Sequence, residues 1–427
     1  MSVFIEKTDT LRGEVNIPGD KSVSHRALIL GALAEGDTRL HHFLKAQDCI
    51  DTIKCLQVLG ISIEEDEQDI IVHGKGLYGL SEPGRVLDVG NSGTTLRLFP
   101  GILAAQNFVS EISGDNSLLR RPVDQFLAPV MEMGAIISFK QDNNCPPLVI
   151  LPSDIHGIFY DSPIASAQVK SSILFTALYA DSPTTIIEPY QSRNHTELLL
   201  EAFGAHLDCT PLSIVIKPAG QLTGCELTVP GDISSAAYFI TAALITKDSK
   251  ITLRGVGMNP TRNGFIDVIL SMGADVEILN VKSGLEPTAD LIVTSSSLHG
   301  VTLSGEIIPR TLDEIPILMV LSCFAEGITV IRDNGELRLK ESSRIDVTAE
   351  NLRKMGANIT ATGDSIVIEG GHPLHGAIIG TKYDHRVAMS FAIAALGATG
   401  KTELIGSECV NISYPGFYDT LKSLFPA

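Results

Sequence analysis

The chain has 427 residues, 44% of them apolar and 19% charged, and a formal net charge of −18. This length allows two or more domains with sizeable cores, while the acidity argues against a protein that grips nucleic acid or an acidic membrane through a basic surface. No apolar run reaches the length of a membrane span, and Met1-Ser2-Val3-Phe4-Ile5-Glu6-Lys7 lacks the basic-then-apolar order of a signal peptide, so a cytoplasmic protein is expected.

The seven cysteines stand singly, without a C-x-x-C pair, which predicts neither a disulfide framework nor a zinc site. They read as small buried apolar residues or inert surface thiols.

In chain order, six long apolar helices are predicted at about residues 24–34, 94–106, 167–180, 233–246, 314–326 and 386–398, spaced by roughly seventy residues. Each follows a short polar start: Gly19-Asp20-Lys21-Ser22, Gly90-Asn91-Ser92-Gly93-Thr94, Ser166-Ala167-Gln168, Gly231-Asp232-Ile233-Ser234, Leu312-Asp313-Glu314 and Asp384-His385-Arg386. Free backbone N–H groups and the helix dipole make such starts attractive to anions.

A second helix is expected in most units, closing on a recurring phrase: Leu59-Gly60-Ile61, Met133-Gly134-Ala135, Phe203-Gly204-Ala205, Met272-Gly273-Ala274 and Met355-Gly356-Ala357. Glycine there suits a helix C-cap with positive φ. The apolar runs Ile70-Ile71-Val72, Leu148-Val149-Ile150, Ile214-Val215-Ile216, Leu291-Ile292-Val293 and Ile366-Val367-Ile368 follow, so a unit reads strand, helix, strand, helix, strand, strand. The sixth unit is cut short at Thr420-Leu421-Lys422-Ser423-Leu424.

Val15-Asn16-Ile17-Pro18-Gly19-Asp20 is echoed by Leu227-Thr228-Val229-Pro230-Gly231-Asp232. The echo predicts two lobes of three units, 18–227 and 1–17 plus 228–427, with the first seventeen residues adding a strand to the later lobe and the chain crossing between lobes twice.

The charged groups fall at the helix starts. Lys21 and Arg26 pair a point charge with a planar fork suited to carboxylate or phosphate. Gly93 lets backbone approach a ligand, and Arg97 lies about one turn on. Arg120 and Arg121 precede a helix opened by Pro122, and taken alone a solvated surface is the better reading of this pair. Ser166, Gln168 and Lys170 put a hydroxyl, an amide and an ammonium near one start, and Arg193 could anchor an anion with His195 and Glu197 in support. Lys340 and Arg344 stand at i,i+4, so one helix face is expected to carry both, with Glu341 beside Lys340. Asp313 is a second carboxylate. One acid and one base among several cations suit proton transfer on an anionic substrate. Arg386 adds a guanidinium at the last start. Gly74-Lys75-Gly76-Leu77-Tyr78-Gly79 matches a dinucleotide fingerprint, but Ser81-Glu82-Pro83-Gly84 forbids the helix that such a site needs.

Taken together, Pro18-Gly19-Asp20-Lys21-Ser22-Val23-Ser24-His25-Arg26, the 90–98 segment, Ser166-Ala167-Gln168-Val169-Lys170, Lys340-Glu341-Ser342-Ser343-Arg344 and Asp384-His385-Arg386-Val387-Ala388-Met389 resemble the enolpyruvyl transferases, in the branch acting on shikimate 3-phosphate. The resemblance covers nearly the whole chain. It implies an α/β (α+β) fold of six βαβαββ units, three per lobe, closing on the substrates between the lobes.

The implied reaction joins shikimate 3-phosphate to the enolpyruvyl group of phosphoenolpyruvate and releases phosphate, in the shikimate pathway, with no cofactor and no metal. The implied partners are these two small molecules, with neither nucleic acid nor membrane, and a monomer is expected. Residue by residue, the resemblance implies that Ser22, Arg26, Ser166, Ala167, Gln168 and Arg193 line the shikimate 3-phosphate site. Lys21, Gly93, Arg121, Gln168, Arg344 and Arg386 would contact phosphoenolpyruvate. Asp313 would accept the proton of the 5-hydroxyl with Lys340 nearby, and Glu341 would move the proton at the methylene carbon, assisted by Lys21.

Many members carry Lys shortly before a Phe-Pro near the C-terminus, where this chain has Ile412-Ser413-Tyr414-Pro415. The branch acting on UDP-N-acetylglucosamine matches less well, since Leu118-Leu119-Arg120-Arg121-Pro122 lacks its loop cysteine. A non-catalytic repeat scaffold would have no need of Asp313 and Glu341 among converging cations.

Overall fold

Polar turns that meet apolar runs do start helices here, and the side chains at those turns show why. In the computed structural model, which describes residues 1–141 and 143–426, the six principal helices are Lys21–Leu33, Gly93–Ala104, Ala167–Ala177, Ile233–Ile245, Ile315–Phe324 and His385–Gly397. Four are capped by the side chain before them. Asp20 accepts from the N–H of Val23, Ser92 from Thr95, Asp232 from Ser234 and Asp384 from Arg386. Each cap satisfies a donor the helix cannot, a contribution of about 1 kcal/mol. Because these helices are apolar all round, they are buried all round: Ile233 to Leu244 are buried without a break.

The second helices are Gln47–Val58, Asp124–Glu132, His195–Ala202, Gly264–Ser271 and Arg344–Lys354. The recurring phrase is a Schellman stop. Gly60, Gly134, Gly204, Gly273 and Gly356 have φ of 87°, 103°, 91°, 93° and 93°. The residue after each glycine donates back into the helix, Ile61 to Leu56, Ala135 to Val130, Ala205 to Leu200, Ala274 to Ile269 and Ala357 to Leu352.

The sheets repeat one plan, a first strand parallel to the second and an antiparallel hairpin beyond. One sheet orders Leu87–Asp88, Ser110–Ser113, Leu148–Leu151 and Ile136–Phe139. Others order Phe159–Asp161, Thr184–Ile187, Ser213–Ile216 and Leu207–Cys209, or Thr302–Leu303, Ile328–Ile331, Ser365–Glu369 and Asn358–Thr362.

The chain forms two compact units, Gly19–Val229 and Met1–Pro18 with Pro230–Ala427. Strands are exchanged where it passes from one to the other. Arg12–Asn16, just ahead of helix Lys21–Leu33, pairs in parallel with Lys250–Gly257, whereas Glu226–Thr228, just ahead of helix Ile233–Ile245, pairs in parallel with Glu35–His41. The first seventeen residues therefore give their unit two strands, one more than the sequence suggested. The second is Ser2–Glu6, which pairs with Lys401–Ile405 and completes the three-stranded sheet of the shortened sixth repeat.

In that unit Phe417 packs against Tyr238, Phe239 and Tyr414 with ring centroids 5.6–5.9 Å apart, so Tyr414 of the Ile412–Pro415 segment is a core residue.

Among the described residues, no helix is long and apolar enough to cross a membrane. All seven cysteines are free, and burial pushes the thiols of Cys55, Cys323 and Cys409 up to about 12, which leaves them unreactive.

Candidate active site

In the unit Gly19–Val229, helix starts gather around Arg26. Its Nε donates to Thr196 Oγ1 at 2.7 Å, Nη2 to Ser171 Oγ at 2.8 Å and Nη1 to the Ser22 carbonyl at 3.0 Å. Ser171 Oγ also donates to the Ala167 carbonyl at 2.5 Å and lies 2.7 Å from Thr196 Oγ1. Arg26 thus ties together the starts of helices Lys21–Leu33, Ala167–Ala177 and His195–Ala202. Lys21, at the first position of its helix, lies 2.9 Å from Asp48.

A second group forms around Gly93. A Cβ there would sit 3.1 Å from Arg97 Nη1 and 3.5 Å from Arg121 Nη1. Arg97 donates to Gln168 Oε1 at 2.6 Å and stacks 4.2 Å above the Phe126 ring. Arg121 is held by Asn91 Oδ1 at 2.7 Å and Ser117 Oγ at 2.9 Å, while Arg120 is exposed, so the surface reading holds for Arg120 alone. Ser166 is buried at the N-cap, Ala167 and Gln168 are half-buried beside it, and Arg193 is half-buried two residues before helix His195–Ala202.

Lys170 points inward. Its Nζ is 2.9 Å from Glu188, 2.7 Å from Glu197 and 3.3 Å from the Ser192 carbonyl, so it braces the 188–197 segment.

Behind these groups runs a chain of buried hydroxyls. His25 Nδ1 lies 2.8 Å from Thr52 Oγ1, Thr52 Oγ1 lies 2.6 Å from Thr95 Oγ1, and Thr95 Oγ1 lies 2.7 Å from Ser92 Oγ. Burial, reinforced by the charges of Lys21 and Arg26, pushes the His25 imidazole well below its usual pKa and keeps it neutral.

The other unit holds the carboxylates. Asp313, in the 3₁₀ turn Leu312–Glu314, has Oδ2 3.2 Å from Arg386 Nη2 and Oδ1 3.5 Å from Arg344 Nη1. Arg344 also bonds Glu341 and reaches Asp384 at 2.9 Å, and Asp384 caps the helix that carries Arg386. Burial opposes the charges on Arg344 and Arg386, yet the carboxylates, Asp384 foremost for Arg344 and Asp313 for Arg386, outweigh it and raise both pKa values.

One expectation is corrected here. Lys340 and Arg344 do not share a helix face, because residues Gly335–Leu339 form a 3₁₀ turn, Lys340 is extended and the helix begins only at Arg344. Lys340 pairs instead with Glu336, and Glu341 with Arg344.

The sequence reading passed over Arg262 and Glu314. Arg262 Nη1 donates to Glu314 Oε2 at 2.8 Å, and both are buried beside Asp313. The polar run Asn259-Pro260-Thr261-Arg262-Asn263 before a helix was the available signal.

The 74–79 segment is not followed by the helix its pattern would need: among the described residues, none lies between Lys75 and Gly93. Gly74 has a packing reason: a Cβ would fall 2.2 Å and 2.3 Å from the Ala34 and Gly31 carbonyl oxygens. Among the described residues, no group of three or more His, Cys, Asp or Glu could hold a metal ion.

The geometry offers one carboxylate between two guanidinium groups, a second on the same Arg344, and a separate cationic set at helix starts. Within its own unit, the first set can hold an anion while moving protons, and within the other the cationic set can neutralise phosphate or carboxylate. Residues 5–421 match the family model for EPSP synthase (3-phosphoshikimate 1-carboxyvinyltransferase). The 3-phosphoshikimate 1-carboxyvinyltransferase of Thermoanaerobacter sp. (strain X514) is 48% identical over 99% of this chain and 100% of its own, and that of Bacillus cytotoxicus 47% identical over 98% and 99%. The solved EPSP synthase of Acinetobacter baumannii superposes with a TM-score of 0.86 at 40% identity, covering 99% of this chain and 98% of that one. The chain belongs to the EPSP synthase family.

Proposed function

We propose that this protein transfers the enolpyruvyl group of phosphoenolpyruvate to the 5-hydroxyl of shikimate 3-phosphate, giving 5-enolpyruvylshikimate 3-phosphate and phosphate. The observation that carries the proposal is the Asp313 carboxylate set between Arg344 and Arg386, with Glu341 on the same Arg344. A base and an acid are thereby held among cations, as an anionic substrate that must both lose and gain a proton requires.

In the proposed course, Asp313, with Lys340 nearby, takes the proton of the 5-hydroxyl as its oxygen attacks C2 of the enol. Glu341, aided by Lys21, delivers a proton to C3. Phosphate then leaves from C2 and takes up the proton that Asp313 had accepted, while Glu341 takes a proton back from C3, restoring the double bond. Arg344 and Arg386 offset the donor's phosphate and carboxylate, and the proposal gives the same task to Lys21, Gly93, Arg121 and Gln168. Ser22, Arg26, Ser166, Ala167, Gln168 and Arg193 are assigned to shikimate 3-phosphate, for which the bracing of Arg26 by Thr196 and Ser171 provides a rigid cationic fork. The proposal includes a monomeric, cytoplasmic enzyme that needs no cofactor.

Mass spectrometry of products tests it. With phosphoenolpyruvate and shikimate 3-phosphate present, the enolpyruvyl ether of the latter accumulates. A product formed instead on UDP-N-acetylglucosamine would overturn the acceptor, and no product from either would overturn the reaction.

A further inference from the structure

Arg262 lies in the turn ahead of helix Gly264–Ser271, with its side chain buried. Nη1 donates to Glu314 Oε2 at 2.8 Å, while Nη2 donates to Ser234 Oγ, which itself donates to Glu314 Oε1. Both oxygens of a buried carboxylate are therefore held, one from the turn before one helix and one from the start of another. The same Nη2 stands 3.8 Å from Asp232 Oδ1 and 4.0 Å from Asp313 Oδ2. Glu314 adjoins Asp313 in the turn Leu312–Glu314, so that turn cannot rotate to re-aim Asp313 without pulling Glu314 out of its bonds. A buried carboxylate stripped of its partner is costly, which makes the arrangement stiff.

We propose that Arg262 is a positioning residue for the reaction: through Glu314 and Ser234 it fixes the turn that aims Asp313, and it adds its charge to the cations that face that carboxylate. The inference rests on the assignment of Asp313 as proton acceptor. The charged groups around Asp313 come from several elements. Arg344 and Arg386 contact it directly from two helix starts, and Glu341 and Asp384 lie beyond it on Arg344. Asp232 faces Arg262 from the start of helix Ile233–Ile245, Glu314 is the chain neighbour of Asp313, and the buried Tyr238 phenol lies in the field of Arg386 and Arg344. Among the described groups, Arg344 and Arg386 still face Asp313 when Arg262 is removed, so its loss weakens the cationic field on that carboxylate without abolishing it.

The test is steady-state kinetics across pH, with each substrate varied, on wild type, Arg262→Met, Arg262→Lys and Asp313→Ala, with circular dichroism to establish that each is folded. Arg262→Met is expected to lower kcat by about tenfold or more, because small misplacement of a reacting group is expensive, while both KM values stay within roughly threefold. Its acid limb of kcat moves to higher pH, as loss of a nearby positive charge requires. Arg262→Lys keeps the charge, so the limb stays near that of wild type, but the lost fork leaves kcat depressed. Should Arg262→Met fail to fold, the Lys variant decides by its kcat. An inactive Asp313→Ala alongside wild-type kcat and pH profile in the folded Arg262 variants would overturn this inference alone. Turnover retained in Asp313→Ala would overturn the base assignment beneath it.

Discussion

Arg386 holds Asp313 at two points: its Nη2 lies 3.2 Å from the carboxylate, and its Nη1 donates to the Asp313 backbone carbonyl at 3.3 Å. The second contact restrains the backbone as well as the charge, so the guanidinium fixes where the carboxylate can point.

Replacing Arg386 by Ala should therefore cost both donor binding and alignment of the base. We expect kcat/KM for phosphoenolpyruvate to fall on the order of a hundredfold or more, as for loss of a charged transition-state donor. Initial rates at varied phosphoenolpyruvate check this, and a fall confined to a few-fold would place Arg386 outside the reaction.

Gly93→Ala separates folding from binding. The new methyl would press Arg97 at 3.1 Å, at the end of a flexible side chain that can yield, and would meet Arg121 at an ordinary 3.5 Å. The melting temperature should hardly change while KM for phosphoenolpyruvate rises severalfold. An unchanged KM would show that neither arginine needs its present position. Gly74→Ala is the contrast, because its methyl meets backbone carbonyls that cannot move aside, and a sharply lowered melting temperature is expected.

Lys170 is a stability residue. Lys170→Met would leave the buried Glu188 and Glu197 without the ammonium that bridges them. Breaking such a buried set should cost about 3–5 kcal/mol, read from the urea midpoint. A loss well under 1 kcal/mol would show that the two carboxylates find other partners.

His25 makes stability pH-dependent. Burial, with Lys21 and Arg26, lowers its pKa in the fold well below 6.5, whereas the unfolded chain takes up a proton near that value. The unfolded state thus binds the extra proton. The stability contributed by neutral His25 is present above pH 6.5 and falls as pH drops below it, by at most about 1.4 kcal/mol per pH unit. His25→Asn should flatten that part of the stability curve, and an unaltered slope would assign it to other groups.

The repeats were legible because their signals are local. A cap such as Asp20, an apolar run and a glycine such as Gly60 lie within one or two helical turns of what they control. The echo of Val15–Asp20 at Leu227–Asp232 predicted that the first seventeen residues add a strand to the later lobe, but the pairing was not legible, since nothing within Arg12–Asn16 names Lys250–Gly257 as its partner. The Arg344 cluster was half legible. Asp313, Glu341, Arg344 and Arg386 do converge, but counting Lys340 onto the Arg344 face failed because the helix starts four residues later than that spacing assumes. Arg262 and Glu314 are 52 positions apart, and only folding shows that each is the other's partner.

The most direct measurement is phosphate release by the purified protein from phosphoenolpyruvate, with and without shikimate 3-phosphate, in wild type and Asp313→Ala. Release that requires shikimate 3-phosphate and is lost in the variant is the predicted result. Release independent of the acceptor, or undiminished without the carboxylate, would contradict the account.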